Sequence, residues 1–245
     1  MSKTSFEYDA PLSNKNNQIK NFYSVCVDDF FKNPDDIRNF GLSLEKKPDA
    51  EGKWPGKRSF ILHDIDEKFA NELILKVFST YIDLKYTSVR WKESQVMFQE
   101  ISPFKNDIIN KGWIHQDTGM QLAFIIYLTP DADPNAGTSL FRIKKEIRKS
   151  FYHKRHYEKE KLLKGENVNV NEYNKAISNN ENLFQEITRY SNIYNRMIAY
   201  DSREFHRANS FVTNSENRLT IVGFINGIEM EEMPLERVRK IENNR

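Results

Sequence analysis

Apolar positions change their period part-way along the chain. From Asp66 to Tyr81 the residues Phe69, Leu73, Val77 and Tyr81 recur every four positions, which predicts an amphipathic helix laid against a sheet. Ahead of it, Asn33-Pro34 reads as N-cap and first helical position. Asp35 and Asp36 fall in the first turn, where the helix dipole favours negative charge, so a helix to around Leu44 is expected. Past Thr87 the pattern turns to strands, at Ser94 to Ile101, Met120 to Thr129, Thr138 to Ile143, Asn192 to Tyr200 and Arg218 to Asn226. Pro130, Pro134 and Gly137 occupy the link between the second and third strands, as a hairpin loop would. Helices first and strands afterwards predict an α+β, mainly β, arrangement with helices covering one side of an antiparallel sheet.

Two stretches break the pattern. Lys46 to Arg58 is a loop punctuated by Pro and Gly, and its Trp54 is expected to pack on the core rather than line a site rim. Between Lys144 and Ser191 the strand pattern stops. Arg142 to Lys164 carries ten Lys/Arg against three Glu, and the polar segment Gly165 to Asn182 follows. This reads as a basic, mostly helical insertion at 144–191. Tyr173, Ile177, Phe184 and Ile187 would give it an apolar face to bury near the mouth of the core. Its charges suit a solvated helix face or a lid that recruits an acidic substrate. Phe151, Tyr152 and Tyr157 could stack on bases or form a buried stripe.

The expected organisation is one domain over 1–245. It comprises a flexible arm at 1–20, helical support at 21–93, a β core at 94–226 interrupted by the insertion, and a tail at 227–245. A net charge of +2 gives no whole-chain pull towards nucleic acid or membrane. The single cysteine, Cys26, cannot form an internal disulfide, and MSKTSFEYDA lacks the apolar region of a signal peptide, so a cytoplasmic setting is expected. Leu122 to Leu128 and Leu219 to Ile225, seven residues each, are too short to cross a bilayer.

The candidate chemistry lies in GWIHQDTGMQLAFIIYL. In an extended chain, positions i and i+2 share a face, so His115 and Asp117 converge as two metal ligands at the mouth of an apolar strand. His206 is the best third ligand. Two histidines and a carboxylate on one face of a metal suit non-haem Fe(II) oxygen chemistry. His63, His153 and His156 lack a carboxylate at strand spacing and read as structural or solvated. Arg218 opens the run RLTIVGFI twelve positions after His206, and a strand-buried guanidinium needs a partner. A ligand carboxylate gripped two-pronged is the natural one, and a carboxylate of the protein itself is the alternative. Thr220 shares its face, and Tyr127 aims at the same spot or is an ordinary core tyrosine.

His115-x-Asp117, Tyr127-Leu128-Thr129, Ala136-Gly137-Thr138, His206 and Arg218-Leu219-Thr220 resemble the ordered motifs of the 2-oxoglutarate and Fe(II)-dependent oxygenases, nearest to their prolyl-hydroxylase-like branch. The likeness covers about Ser94 to Asn226 and extends faintly upstream through KWPGKRS. It implies a double-stranded β-helix (jelly-roll, cupin-like) core, with iron held by His115, Asp117 and His206. Arg218, with Tyr127 and Thr220, would hold the distal carboxylate of 2-oxoglutarate. It further implies O2 as oxidant, succinate and carbon dioxide as co-products, and hydroxylation or oxidative demethylation rather than halogenation, because Asp117 fills the halide position. Where the family often has two glycines before the Thr, this chain has Ala136-Gly137. The substrate, a small molecule or a protein, is not named by the sequence. The competing readings are a jelly-roll binding module without turnover and an oxygenase that reaches nucleic acid, or a protein associated with it, through the basic insertion; nucleic acid is not favoured.

Overall fold

Every pair of neighbouring strands runs antiparallel, and the period of two read from the sequence sorts their side chains onto two faces. The computed structural model describes residues 22–105, 107–144, 157–213 and 217–231. The elements begin with β1 (Val25–Val27), α1 (Pro34–Ser43), β2 (Lys47–Pro48), β3 (Lys57–Arg58), α2 (Leu62–Ile65) and α3 (Glu67–Phe78). Next come β4 (Val89–Arg90), β5 (Glu93–Ile101), β6 (Leu122–Tyr127), β7 (Thr138–Ile143), α4 (Tyr157–Leu163) and α5 (Val170–Asn182). The chain continues through β8 (Phe184–Tyr190), β9 (Met197–Asp201), β10 (Phe205–Ala208), β11 (Arg218–Asn226) and β12 (Glu229–Met230). A seven-stranded sheet has the order β1-β9-β6-β11-β5-β3-β2, a second has β10-β7-β8, and β12 pairs with β4.

One face of the large sheet presents Phe98, Leu122, Phe124, Ile126, Met197, Leu219 and Ile221 to Ala70, Leu73, Ile74, Val77 and Phe78 of α3. Burying each larger side chain there contributes about 1.5–3 kcal/mol before chain entropy is charged against it. The helix starts where the sequence predicts, because the Asp66 carboxylate caps it by accepting from the Phe69 N–H at 2.9 Å. Asn33 does precede α1, though its side chain makes no capping hydrogen bond. The opposite sheet face carries Ala123, Tyr127, Ile198 and Tyr200, which pack against Leu140 of β7. The order of layers is therefore helices, large sheet, small sheet, with a cavity on the small-sheet side.

Three expectations are corrected. The strand pattern does not stop at Lys144, since Phe184 and Ile187 belong to β8 and not to a helix, and Ile187 is largely exposed. β8 was hidden because its outward positions are polar and it follows directly on α5. The strand expected at 192–200 begins only at Met197, after a turn in which Asn195 takes a positive φ of 64°. The last segment is not all tail, because Glu229 and Met230 pair with Arg90 and Val89. The arm at 1–20, most of the basic run (145–156, with Phe151, Tyr152, His153 and His156) and the rest of the tail lie outside the described residues. No helix among the described residues is long and apolar enough to cross a membrane.

Gly137 follows a 3-10 turn at Pro134–Ala136 and passes so close to β8 that a Cβ there would lie 1.8 Å from the Tyr190 carbonyl oxygen. That oxygen is backbone and cannot swing away. Gly137→Ala is expected to destabilise the protein by about 3 kcal/mol, the upper end of overpacking penalties, in a urea titration. An unchanged midpoint would refute this reading of the turn.

Candidate metal centre and its cavity

The two candidate histidines are brought together by backbone, not by side chains. His115 and His206 form an isolated antiparallel bridge, with His115 N–H donating to the His206 carbonyl at 3.1 Å and His206 N–H returning to His115 at 2.9 Å. Residues directly opposite in such a pair project to the same face, so the imidazole rings stand 4.4 Å apart, centroid to centroid. Asp117 arrives by the predicted i, i+2 step, and its N–H donates to the Ser202 carbonyl at 3.0 Å. Its carboxylate oxygens lie 3.5 Å from His115 Nε2 and 3.3 Å from His206 Nε2. One ligand atom from each residue falls within 4.8 Å of the others, a group that could hold a metal ion.

Tautomers follow from the acceptors. His115 Nδ1 faces the Trp113 carbonyl at 2.8 Å and His206 Nδ1 faces the Glu204 carbonyl at 2.9 Å. A carbonyl only accepts, so both Nδ1 atoms carry the proton and both Nε2 lone pairs point at Asp117, the arrangement that outer-shell carbonyls impose on metal-ligating histidines. Asp117 Oδ2 is buried and accepts no hydrogen bond. Burial opposes ionisation of Asp117, but His206, His115 and Arg58 together hold its carboxyl below the usual range. Burial pushes His206 down to about 4, against the pull of Asp117, which leaves it a neutral imidazole at physiological pH. The donor set is thus preoriented for a divalent cation.

The triad opens into a cavity that also takes in Arg218. Arg218 is 3% exposed, donates from Nε to the Ala136 carbonyl at 3.2 Å, and has a buried Nη2 without a hydrogen-bond partner. No carboxylate among the described residues pairs with it. Burial lowers its pKa, with Tyr127 and Tyr200 opposing. Thr220, two residues on, likewise has a buried hydroxyl without a partner. Tyr127 sits behind this pair, its ring 5.5 Å from the guanidinium carbon and its hydroxyl donating to Thr138 Oγ1 at 2.9 Å.

Several residues of the site were not singled out by the sequence. Tyr200 lines the cavity with its ring 4.9 Å from His206, and burial raises its pKa well above the ordinary value, so it remains a donor. Trp54, expected in the core, lines the cavity instead and stacks on Arg58 with the guanidinium carbon 4.4 Å from the ring. The insertion also contributes. Asn180 of α5 accepts from Ile114 N–H at 2.8 Å and donates to its carbonyl at 3.2 Å, gripping the residue before His115. Glu181 binds Lys111 at 2.5 Å and Arg207 at 2.7 Å, tying together the two segments that carry the histidines. Tyr173 of α5 packs edge-on against Trp113 at 6.0 Å, and both rings line the cavity. His63 is structural, with Nε2 3.0 Å from Asn71 Oδ1.

A family model described as "Family of unknown function (DUF6445)" matches residues 18–225. The chain belongs to that family. No curated protein matches it in sequence. Among solved structures this DUF6445 chain is similar to HygX from Streptomyces hygroscopicus with nickel and 2-oxoglutarate bound, at 11% identity and a TM-score of 0.47 over 83% of this chain and 82% of that one. A Pseudomonas putida prolyl-4-hydroxylase shares 9% identity at a TM-score of 0.43, over 83% of this chain and 91% of its own. A Trichoplax adhaerens prolyl hydroxylase in complex with a hypoxia inducible factor peptide fragment shares 12% at 0.44, over 83% of each chain.

The depressed His206 pKa has a consequence for stability. An unfolded histidine titrates near ~6.5 and the folded one near about 4. The unfolded state therefore binds the extra proton between those values, and this contribution is fully present above the unfolded pKa and is lost as pH falls towards the folded one. In chelator, the protein is expected to lose about 2 kcal/mol of unfolding free energy through this group between about pH 7 and about pH 5. His206→Gln should show a correspondingly shallower decline in urea titrations. An identical decline in both proteins would rule the assignment out.

Proposed function

We propose that this chain is an Fe(II)- and 2-oxoglutarate-dependent oxygenase, one domain over 1–245 whose 94–226 core is a double-stranded β-helix. It would hydroxylate or oxidatively demethylate its substrate. One observation carries the reading: a two-histidine, one-carboxylate group and a buried guanidinium with no carboxylate partner among the described residues line the same cavity. His115, Asp117 and His206 would hold the metal on one side and leave the cavity side open. When bound, the iron supplies the redox chemistry, in which O2 oxidises 2-oxoglutarate to succinate and carbon dioxide and oxygenates the substrate.

The remaining work falls to this chain's own groups. A dicarboxylic co-substrate can reach the metal with one end and present the other carboxylate to Arg218, whose free Nη2 and the unpartnered Thr220 hydroxyl are the donors left without work in its absence. Tyr127 supports the guanidinium from behind. Tyr200, its ring 4.9 Å from that of His206, keeps a proton to donate. Tyr173 of α5 packs on Trp113 and forms part of the cavity wall. A binding module without turnover would not need all three ligand groups converging on one point together with a buried Arg218 that pairs with no carboxylate among the described residues.

Asp117→Ala is expected to remove most Fe(II) or Mn(II) affinity in equilibrium dialysis, and unchanged metal content would sink the triad. Arg218→Lys keeps the charge but loses the planar fork. It should weaken 2-oxoglutarate binding about tenfold or more while leaving metal binding nearly intact, as expected for loss of a bidentate charge-assisted pair. Wild-type affinity for 2-oxoglutarate in Arg218→Ala would exclude the role.

A further inference from the structure

The cavity holds a second guanidinium that the reading above does not use. Arg58, on β3, lies between two aromatic rings, its carbon 4.4 Å from the centroid of Trp54 and 5.6 Å from that of Phe224. Its Nε is buried without a hydrogen-bond partner, and its one polar contact is a long one, Nη2 to Gln99 Oε1 at 3.4 Å. Gln99 is itself held by donating to the Pro55 carbonyl at 2.7 Å, so Arg58 is fixed in place without being satisfied. No carboxylate among the described residues forms an ion pair with it. Burial lowers its pKa to about 10, which leaves it cationic at neutral pH.

Charge in the cavity is lopsided. Lys53 and Lys111 line it but are paired with Glu51 and Glu181. Lys159 of α4 lines it too, has no ion-pair partner among the described residues, and lies 5.9 Å from the Trp113 ring. Among the described residues the single acid in the lining is Asp117. With a divalent metal on the triad and a 2-oxoglutarate dianion on Arg218, the positive charge of Arg58 and Lys159 is still unanswered. A buried cation beside a metal ion is strongly unfavourable unless an anion comes between them. Around this excess the walls are flat and apolar: Trp54, Phe104, Trp113 and Phe211. Buried charged donors set among aromatic surfaces are how small-molecule sites fix one polar end of a largely apolar ligand.

We propose that Arg58 is the anchor of the primary-substrate subsite and that the substrate is a small anionic molecule, a carboxylate or phosphate on an aromatic or apolar body, which lies along Trp54 with its anionic group on Arg58 and Lys159. This rests on the oxygenase reading for what happens to the molecule, but not for its binding. Arg58 is a positioning residue for the substrate. Because α4 supplies Lys159, the insertion takes part in selecting it.

The test uses full-length protein loaded with Ni(II) and saturated with 2-oxoglutarate, titrated in a calorimeter with phenylacetate, phenyl phosphate and the neutral phenylacetamide. At least one anion is expected to bind about tenfold or more tighter than the amide, the scale of one charge-assisted hydrogen-bonded pair, and the tighter of the two names the group. Arg58→Gln should erase the preference while Ni(II) and 2-oxoglutarate still bind, and Arg58→Lys, which keeps the charge, should retain part of it. The subsite is overturned if no probe binds, if the amide binds as well as the anions, or if Arg58→Gln preserves the preference. Loss of 2-oxoglutarate binding in Arg58→Gln but not in Arg218→Lys would make Arg58 the co-substrate anchor and overturn both assignments. Failure of the wild type to bind Ni(II) or 2-oxoglutarate would defeat the oxygenase reading alone, because the same anion titration on metal-free protein still tests Arg58.

Discussion

The pair of backbone hydrogen bonds between His115 and His206 is the constraint on which the site depends. Ninety-one residues separate the two positions, and nothing local in either segment would hold the imidazoles within reach of one carboxylate. Once the amides pair, the rings must stand side by side, and Asp117, two residues along an extended chain, has only one face to occupy. The bridge is isolated, belonging to no longer ladder, so it must be supported from outside. Gly112 N–H donating to the Ala208 carbonyl at 2.8 Å continues the alignment on one side, and Asp117 N–H to the Ser202 carbonyl continues it on the other.

The inserted segment supplies the rest of that support. Asn180 satisfies both backbone groups of Ile114, and Glu181 binds a cation from each histidine-bearing segment. A buried asparagine whose amide completes two main-chain bonds rigidifies the chain it grips, because losing either bond would leave a buried polar group unsatisfied. The insertion thus has two roles that a lid alone would not have. It builds the geometry of the metal group, and through Lys159, Leu163 and Tyr173 it forms one wall of the space in front of it.

Much of this was legible in the sequence, and what was not has physical reasons. The i, i+2 placement of His115 and Asp117 is dictated by strand geometry, and Arg218 at the head of an apolar run announces a buried cation. The α3 helix shows itself through its four-residue period and its Asp66 cap. β8 stayed hidden because a strand with one solvated face directly after a helix shows no break in composition. β10, which carries His206, is four residues long, too short for any period to register. Trp54 was expected in the core because a large aromatic in a loop usually buries, and only its stacking on Arg58 shows that it buries against a site. Tyr200 looked like one more aromatic in an apolar strand; its position beside His206 depends on the pairing of β9 with β6, which no local pattern encodes.

The two unpaired guanidiniums bear on how such a site is maintained. Each is costly in the empty protein, since neither Arg58 nor Arg218 pairs with a carboxylate among the described residues to offset its desolvation, and burial lowers the pKa of both. A lysine in either place could escape the cost by losing its proton, whereas arginine cannot, so the cavity stays charged and waits for anions. The two differ in how they are held. Arg218 is fixed by the Ala136 carbonyl, in the buried turn before β7, and by the Tyr127 ring of β6, which suits a partner common to every turnover. Arg58 is fixed by Trp54 and by Gln99, the former on the loop before β3, which is the region where a substrate-specific contact can change without disturbing the metal group.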